Sequence, residues 1–466
     1  MTRLPVVLLF CVAVTRAGTD DLTEHYRSAA DRLIDAALKD TDGYAKLAYL
    51  CDRIGNRISG SRSLEKAVAW SVEQMKRDGL ANVQTLPVKV PHWIRGRESA
   101  KIVAPIERPI RMLGLGMSVG TPAEGITADV VVVSGIEQLA ELSRERVQGK
   151  VVLFNAVYKG YGQTVVNRIA GASRAAALGA AAVLVRSITP LAVELPHTGA
   201  LTYQEGVPRI PAAAVTIEDA LLIERLSQSG SPVKVHLEME AHQGPEAASE
   251  NVVGEIPGRD LPEEVVVLGG HLDSWDVGQG AQDDGSGIMA SLEAVALVKK
   301  LGLQPRRTIR VVFWVNEENG GKGGEAYRRW VGDRLSNHVA AIEMDGGAER
   351  PLGFGFGGFG GGRAAAVESP DAGSLALLKQ VGKLLERIGA GEIGPGGGGS
   401  DIAPLTREGV PSLSPRTVGL HYFDWHHTEA DTLDKVDLED FRKNVAGLAV
   451  MSYVLADMPG RLVGSK

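Results

Sequence analysis

The chain has 466 residues, long enough for two or three domains and at least one large core. Hydrophobic residues make up 44% and charged residues 23%, ordinary values for a globular protein. The net charge of −7 argues against nucleic acid or an anionic membrane surface as the main partner, and it is too mild to point to a cationic substrate.

Residues 1–17 have the layout of a cleavable signal peptide: Arg3, an apolar run over 4–14, then Thr15-Arg16-Ala17 before a mostly polar stretch. A secreted or periplasmic mature protein is therefore expected. Without that leader Cys51 is the single cysteine, so no internal disulfide can form, and its place after the apolar run 47–50 predicts a small buried hydrophobe. No later apolar run is long enough to predict a membrane span.

Residues 22–79 read as largely helical. Within them, 63–75 carries Leu64, Val68, Trp70, Val72 and Met75 at broadly helical spacing between Gly60-Ser61 and Asp78-Gly79. The texture changes over 106–241, where β-rich runs at 128–133, 150–156, 181–185 and 210–216 alternate with a small-residue helix over 165–178. Such alternation between unrelated segments predicts a separate α/β lobe, inserted over 106–245 between an N-terminal part, 18–105, and a main domain, 246–466.

From residue 249 onwards the predicted strands are strongly apolar, and the polar residues gather at their ends. The run 264–268 leads to His271, 308–315 leads to Glu317 and Glu318, and 339–344 leads to Asp345. A helix over 287–300, with Ile288, Leu292 and Val295 on its apolar side, follows the pair Asp283-Asp284. In open α/β sheets the C-terminal strand edge is where binding sites form, because neighbouring loops diverge there. Two glycine tracts, 353–362 and 394–399, lack the Lys-Ser/Thr pair of a phosphate loop and are expected to be loops.

Five segments carry the chemistry: G-G-H-L-D (269–273), A-Q-D-D-G-S-G (281–287), N-E-E-N-G-G (316–321), E-M-D-G-G (343–347) and H-H-T-E-A-D-T (426–432). Each alone has a structural explanation as a turn, a helix start or a solvated acidic pair. Together they supply two imidazoles and several carboxylates from separate segments, the set that a pair of zinc ions needs to hold and ionise one water.

In this order the segments resemble the zinc exopeptidases of the M28 peptidase family, a resemblance running from near Tyr44 to the C-terminal region and loosest over the middle lobe, which is similar to a protease-associated domain. It implies an α/β fold, a mixed central sheet with helices on both faces, and two zinc ions per chain. It also implies His271 and Asp345 on one ion, Glu318 and His427 on the other, and Asp283 bridging both, with Asp284 supporting Asp283 or, if the two are exchanged, bridging in its place. Glu317 would be the general base. Asp273 and Asp431, each a few residues from a histidine ligand, would fix imidazole tautomers. His426 stands where several relatives have a tyrosine nearby, and its imidazole N–H would either stabilise a developing oxyanion or simply pack. Tyr422, Trp425, Trp275 and Ser400-Asp401 are weaker candidates for lining the pocket.

The activity so implied is hydrolysis of short peptides, dipeptides foremost, by an enzyme whose relatives are often homodimers, although no interface is legible in the residues. An aminopeptidase on the same site is the nearest alternative. A one-zinc, glutaminyl-cyclase-like transferase and a non-catalytic binding protein are disfavoured by the complete set of ligands and base.

Overall fold

The computed structural model describes residues 21–358 and 371–463. The expected leader, 1–17, lies outside these residues, as does 359–362 of the first glycine tract. Among the described residues, no helix is long and apolar enough to cross a membrane.

The main sheet has eight strands in the order Ala81–Val90, Ala247–Ile256, Arg307–Trp314, Leu261–His271, His338–Glu343, Ser412–Thr417, Pro351–Phe356 and Glu392–Pro395. The four middle strands, from Arg307–Trp314 to Ser412–Thr417, run parallel, while Ala81–Val90 and Ala247–Ile256 pair antiparallel with their neighbours and Pro351–Phe356 pairs antiparallel with Ser412–Thr417. Alternate side chains of a strand point to opposite faces. Val266, Leu268, Ile309, Val311 and Phe313 accordingly enter one apolar core, packed by the helices Leu22–Leu38, Ser286–Lys300 and Leu438–Asp457. Val265, Val267, Val312 and Trp314 enter a second core on the other face, beneath Tyr327, Ile402 and Leu405. With both faces covered, the middle strands are apolar throughout rather than alternating, as expected of buried parallel strands. The fold is thus the α/β class, with a mixed sheet between helices.

A second eight-stranded sheet is built between the antiparallel partners Val90 and Ala247 of the main sheet. It includes parallel strands Ile126–Val133, Val151–Phe154, Ala182–Arg186 and Ala212–Val215. It also takes in Glu98–Ala104, which pairs with Lys234–Met239, so this sheet starts ahead of residue 106. Its own apolar clusters lie on its two faces.

The glycine tracts differ from expectation in part. Each begins within a strand, Pro351–Phe356 or Glu392–Pro395, paired in parallel at the sheet edge, while 357–358 and 396–399 lie outside strands as a loop would. The reason is crowding: a Cβ at Gly353 would lie 1.8 Å from the Glu392 carbonyl oxygen, and one at Gly355 1.9 Å from that of Gly396. Glycine is required there by backbone approach rather than by a turn.

The helix Ser286–Lys300, which begins directly after Asp283-Asp284, is buried along nearly its whole length. It is pinned by an ion pair: Lys46 Nζ lies 2.6 Å from Oε2 of the fully buried Glu293 and 2.7 Å from Asp78 Oδ2. Lys46→Met would leave the buried Glu293 carboxylate with only the longer contact, 3.7 Å, to Lys300 Nζ. Loss of roughly 3 kcal/mol of stability is expected, measured by denaturant unfolding.

Candidate metal centre

The parallel strands deliver the chemistry to one edge. His271 ends the strand Leu261–His271, Glu317 and Glu318 follow Arg307–Trp314, and Asp345 follows His338–Glu343. Each turn has a local cause. Asn316, at φ 69°, takes the left-handed conformation that asparagine tolerates and turns the chain into Glu317-Glu318. Its side-chain nitrogen donates to Ser59 Oγ and Asn319 Oδ1, and its oxygen accepts from the Lys322 amide. The glycines around His271 and after Asp284 make room for one carboxylate: a Cβ at Gly270 or Gly287 would fall 1.9 or 2.2 Å from an Asp284 oxygen.

The convergence is close. His271 Nε2 is 3.3 Å from Asp283 Oδ1 and 3.4 Å from Asp345 Oδ1. On the other side of Asp283, His427 Nε2 is 3.3 Å from Oδ2 and 3.1 Å from Glu318 Oε2. Asp283 therefore faces one imidazole with each oxygen. Asp284 does not share that position: Oδ2 accepts from the His271 amide and Oδ1 from the Gly287 amide, so its carboxylate supports the backbone behind the cluster. The Asp283–Asp284 peptide is cis. His426 stacks on His427 with ring centres 3.5 Å apart, and its Nε2 reaches within 3.6 Å of Asp283 Oδ2 without meeting Glu318 as His427 does.

Asp273 and Asp431 sit behind the cluster but act on other partners than expected. The His271 Nδ1–H faces the main-chain carbonyl of Asp273, at 2.9 Å, while the Asp273 carboxylate accepts from the amides of Glu317 and Glu318. Asp431 accepts from the amides of Gln282 and Asp283 at 2.7 and 3.2 Å rather than from His427. Both carboxylates thus clamp the chain on which acids are mounted. His427 is met instead by residues of the second lobe, Thr198 and Arg168, which no side-chain motif marks.

Among the pocket candidates, Trp275 is buried against Gly116 in a core of the second lobe, with its ring centre 5.5 Å from that of His427. Tyr422 is buried next to His426, and burial together with the charges of Asp283, Asp345, Asp284 and Glu318 holds its hydroxyl protonated, well above its usual pKa. Asp401 is buried beside Glu343, whose carboxylate accepts from the amides of Asp401 and Ile402. Trp425 lines a surface cavity of about 460 Å³ shared with Gln282 and Lys435.

The donor set fits divalent cations. Buried polar atoms are almost always hydrogen-bonded, yet His271 Nε2, Asp283 Oδ2 and Glu318 Oε1 are buried without a hydrogen-bond partner. Two groups, His271 with Asp283 and Asp345, and Asp283 with His426 and His427, each offer ligand atoms within 4.8 Å of one another. Burial, with Asp283 close by, lifts Glu318 to about 8, and burial lifts Asp345 to about 6. Burial opposes charge on Asp283 as well, but the facing imidazoles outweigh it and hold that acid well below its usual range. Acids so crowded need positive charge to ionise together, and imidazole nitrogen with carboxylate oxygen is a set that suits zinc.

This fold and this cluster define a metallopeptidase. Residues 251–451 match the model of peptidase family M28. Carboxypeptidase Q of Mus musculus is 40% identical over 437 residues, covering 93% of this chain and 90% of that protein. The peptidase M28 precursor of Shewanella amazonensis superposes with a TM-score of 0.90 at 33% identity, covering 95% of this chain and 100% of that one. A zinc aminopeptidase of Bacillus subtilis, at TM-score 0.67 and 19% identity over 89% of this chain and 95% of that one, shares the fold. The chain belongs to peptidase family M28.

Replacing Asp273 by alanine removes the acceptor for two amides that position Glu317 and Glu318. A loss of about 2 kcal/mol on thermal unfolding is expected, with peptide hydrolysis slowed at least tenfold.

Proposed function

We propose that this chain is a secreted or periplasmic two-zinc exopeptidase that hydrolyses short peptides, dipeptides foremost. The observation that carries the reading is the convergence of three buried, unpartnered ligand atoms, His271 Nε2, Asp283 Oδ2 and Glu318 Oε1, from separate elements. In this reading His271 and Asp345 would hold one zinc and Glu318 and His427 the other, with Asp283 shared between them. Zinc bound there supplies Lewis acidity, which brings the pKa of water to about 7 and polarises the scissile carbonyl.

The chain's own residues supply the rest. Glu317 follows Asn316 on the same turn as Glu318, and its amide donates to Asp273 Oδ1 at 3.1 Å. Its half-buried carboxylate is thereby held beside the cluster, where it takes the proton of the attacking water and passes it to the departing amine. His426 and Tyr422, buried next to one another, are the N–H and O–H donors available to the carbonyl oxygen as charge builds on it. The lobe between Val90 and Ala247 is a protease-associated domain that covers the cleft and limits substrate length. The relatives named carboxypeptidase Q support recognition of a free α-carboxylate. Residues 1–17 direct export, and the assembly is a homodimer, which sedimentation velocity tests.

Glu317→Gln should keep two zinc ions per chain and lower turnover by about a thousandfold; near-normal turnover excludes the role. In a dipeptide panel assayed after chelation and zinc add-back, amidation of the C-terminus should abolish cleavage. Cleavage of the amide combined with resistance of the N-acetyl form would assign an aminopeptidase instead.

A further inference from the structure

We propose that the second lobe is part of the metal centre: through Thr198 and Arg168 it holds the His427 imidazole in the orientation and tautomer that leave Nε2 free for zinc. The inference rests on the two-zinc reading above and adds to it the residues that make one of the two sites depend on another lobe.

The two imidazoles are held differently. His271 has a local partner, the carbonyl of Asp273 two residues along its own loop. The partner of His427 comes from far away in sequence. Its Nδ1 lies 3.2 Å from the carbonyl oxygen of Thr198, in the connection between strands Ala182–Arg186 and Ala212–Val215 of the second sheet. The amide of the same Thr198 donates to the His427 carbonyl oxygen at 3.0 Å. One residue therefore grips both the ring and the main chain of His427. That main chain sits at φ 62°, a left-handed conformation uncommon for a residue with a side chain and one that needs external support.

Arg168, buried on the helix Val166–Ala177, braces this grip. Its Nη1 is 3.2 Å from the Thr198 oxygen and 3.4 Å from His427 Nδ1, and its Nη2 donates to Tyr161 Oη at 2.9 Å. A guanidinium carries donors and no acceptor. With the proton on Nδ1, two donors meet the two lone pairs of the Thr198 carbonyl, and the Nε2 lone pair faces Asp283 and Glu318. With the proton on Nε2, Nδ1 would accept from Arg168, and the nitrogen facing the acids would be blocked to metal. The shorter contact to Thr198 and the anchor on Tyr161 aim the guanidinium at the carbonyl. Space is reserved for it: Gly199 has φ 134°, and a Cβ there would stand 2.2 Å from Arg168 Nη1.

Thr198 itself has a firm footing. Its hydroxyl donates to the Gly114 carbonyl at 2.8 Å, which also accepts from Arg95 Nη1 at 2.6 Å. Arg95 in turn makes paired contacts of 2.8 and 2.6 Å with Asp276, five residues beyond His271. The lobe is thus tied to the loop of one candidate ligand while it positions the other.

The test uses the full zinc-loaded chain, mixed with excess chromogenic chelator, with release of each ion followed in time. Outer partners of a metal-bound histidine affect metal affinity by roughly 10–100-fold. Arg168→Met should release one of two ions at least tenfold faster and leave the other within twofold. Tyr161→Phe should speed release of the same ion by a smaller factor, and Arg168→Lys, which keeps a donor, should lie between Arg168→Met and wild type. Two ions leaving Arg168→Met at wild-type rates would overturn the inference, and so would tighter holding, which would mean that Arg168 supports the other tautomer. Should circular dichroism show Arg168→Met unfolded, unchanged release in both Tyr161→Phe and Arg168→Lys overturns it. A wild-type chain that holds fewer than two zinc ions overturns the two-zinc reading, and this inference with it.

Discussion

Asp283, Glu318 and Asp345 stand together with His271 and His427, all but Asp345 buried, with contacts of 3.1–3.4 Å between imidazole nitrogens and carboxylate oxygens. The acids gathered around the two imidazoles also repel one another, which together with burial raises Glu318 and Asp345 above the usual carboxylate range. The rest of the molecule can be understood as what is needed to hold this cluster in place. Amide donors from Gln282, Asp283, Glu317 and Glu318 are spent on Asp431 and Asp273, so that the segments bearing the acids cannot relax apart. The hydrogen bonds around the cluster keep the acid-bearing segments from moving apart.

The scaffold makes such positioning achievable. Parallel strands that end at a common edge place their following turns side by side, and both faces of the sheet are packed, which leaves the strands little freedom. Asp283 depends on a different device, the start of a buried helix whose midpoint is fixed by Glu293 and Lys46. A site built from strand ends and one helix start gains precision from elements that are themselves rigid. The polar chemistry then needs only short turns, one of them made by Asn316 and others relieved by glycines at close approaches.

The second sheet changes the meaning of this arrangement. Its chain leaves and re-enters the main sheet at paired positions, Val90 and Ala247, so it can be accommodated without disturbing the central strands. It nevertheless returns to the cluster through Thr198, and it is locked to the catalytic sheet by Trp275 against Gly116 and by Arg95 with Asp276. A body joined this way contacts the loops of both imidazoles.

Much of the cluster was legible in the residues, because metal ligation restricts side-chain type severely and because strand ends can be read from apolar runs. Within the five segments it was the resemblance to the M28 peptidases that singled out His271, Asp283, Glu318, Asp345 and His427 from their neighbours, and the structure brings these five together. The partners of Asp273 and Asp431 were not legible, since a main-chain amide has the same chemistry at every residue and only the folded path says which amide lies within reach. The edge strands at Pro351–Phe356 and Glu392–Pro395 were misread for a related reason: glycine has little strand preference, and only the crowding of adjacent backbones requires it there. Thr198 and Arg168 are hardest of all to foresee, as they lie more than 200 residues from His427 and one acts through its carbonyl. The amino-acid sequence by itself determined the donor chemistry and the apolar runs whose ends carry much of it. The tertiary structure alone decided which carbonyls, amides and guanidinium surround those donors, because such contacts depend on distance and direction between segments and leave no pattern along the chain.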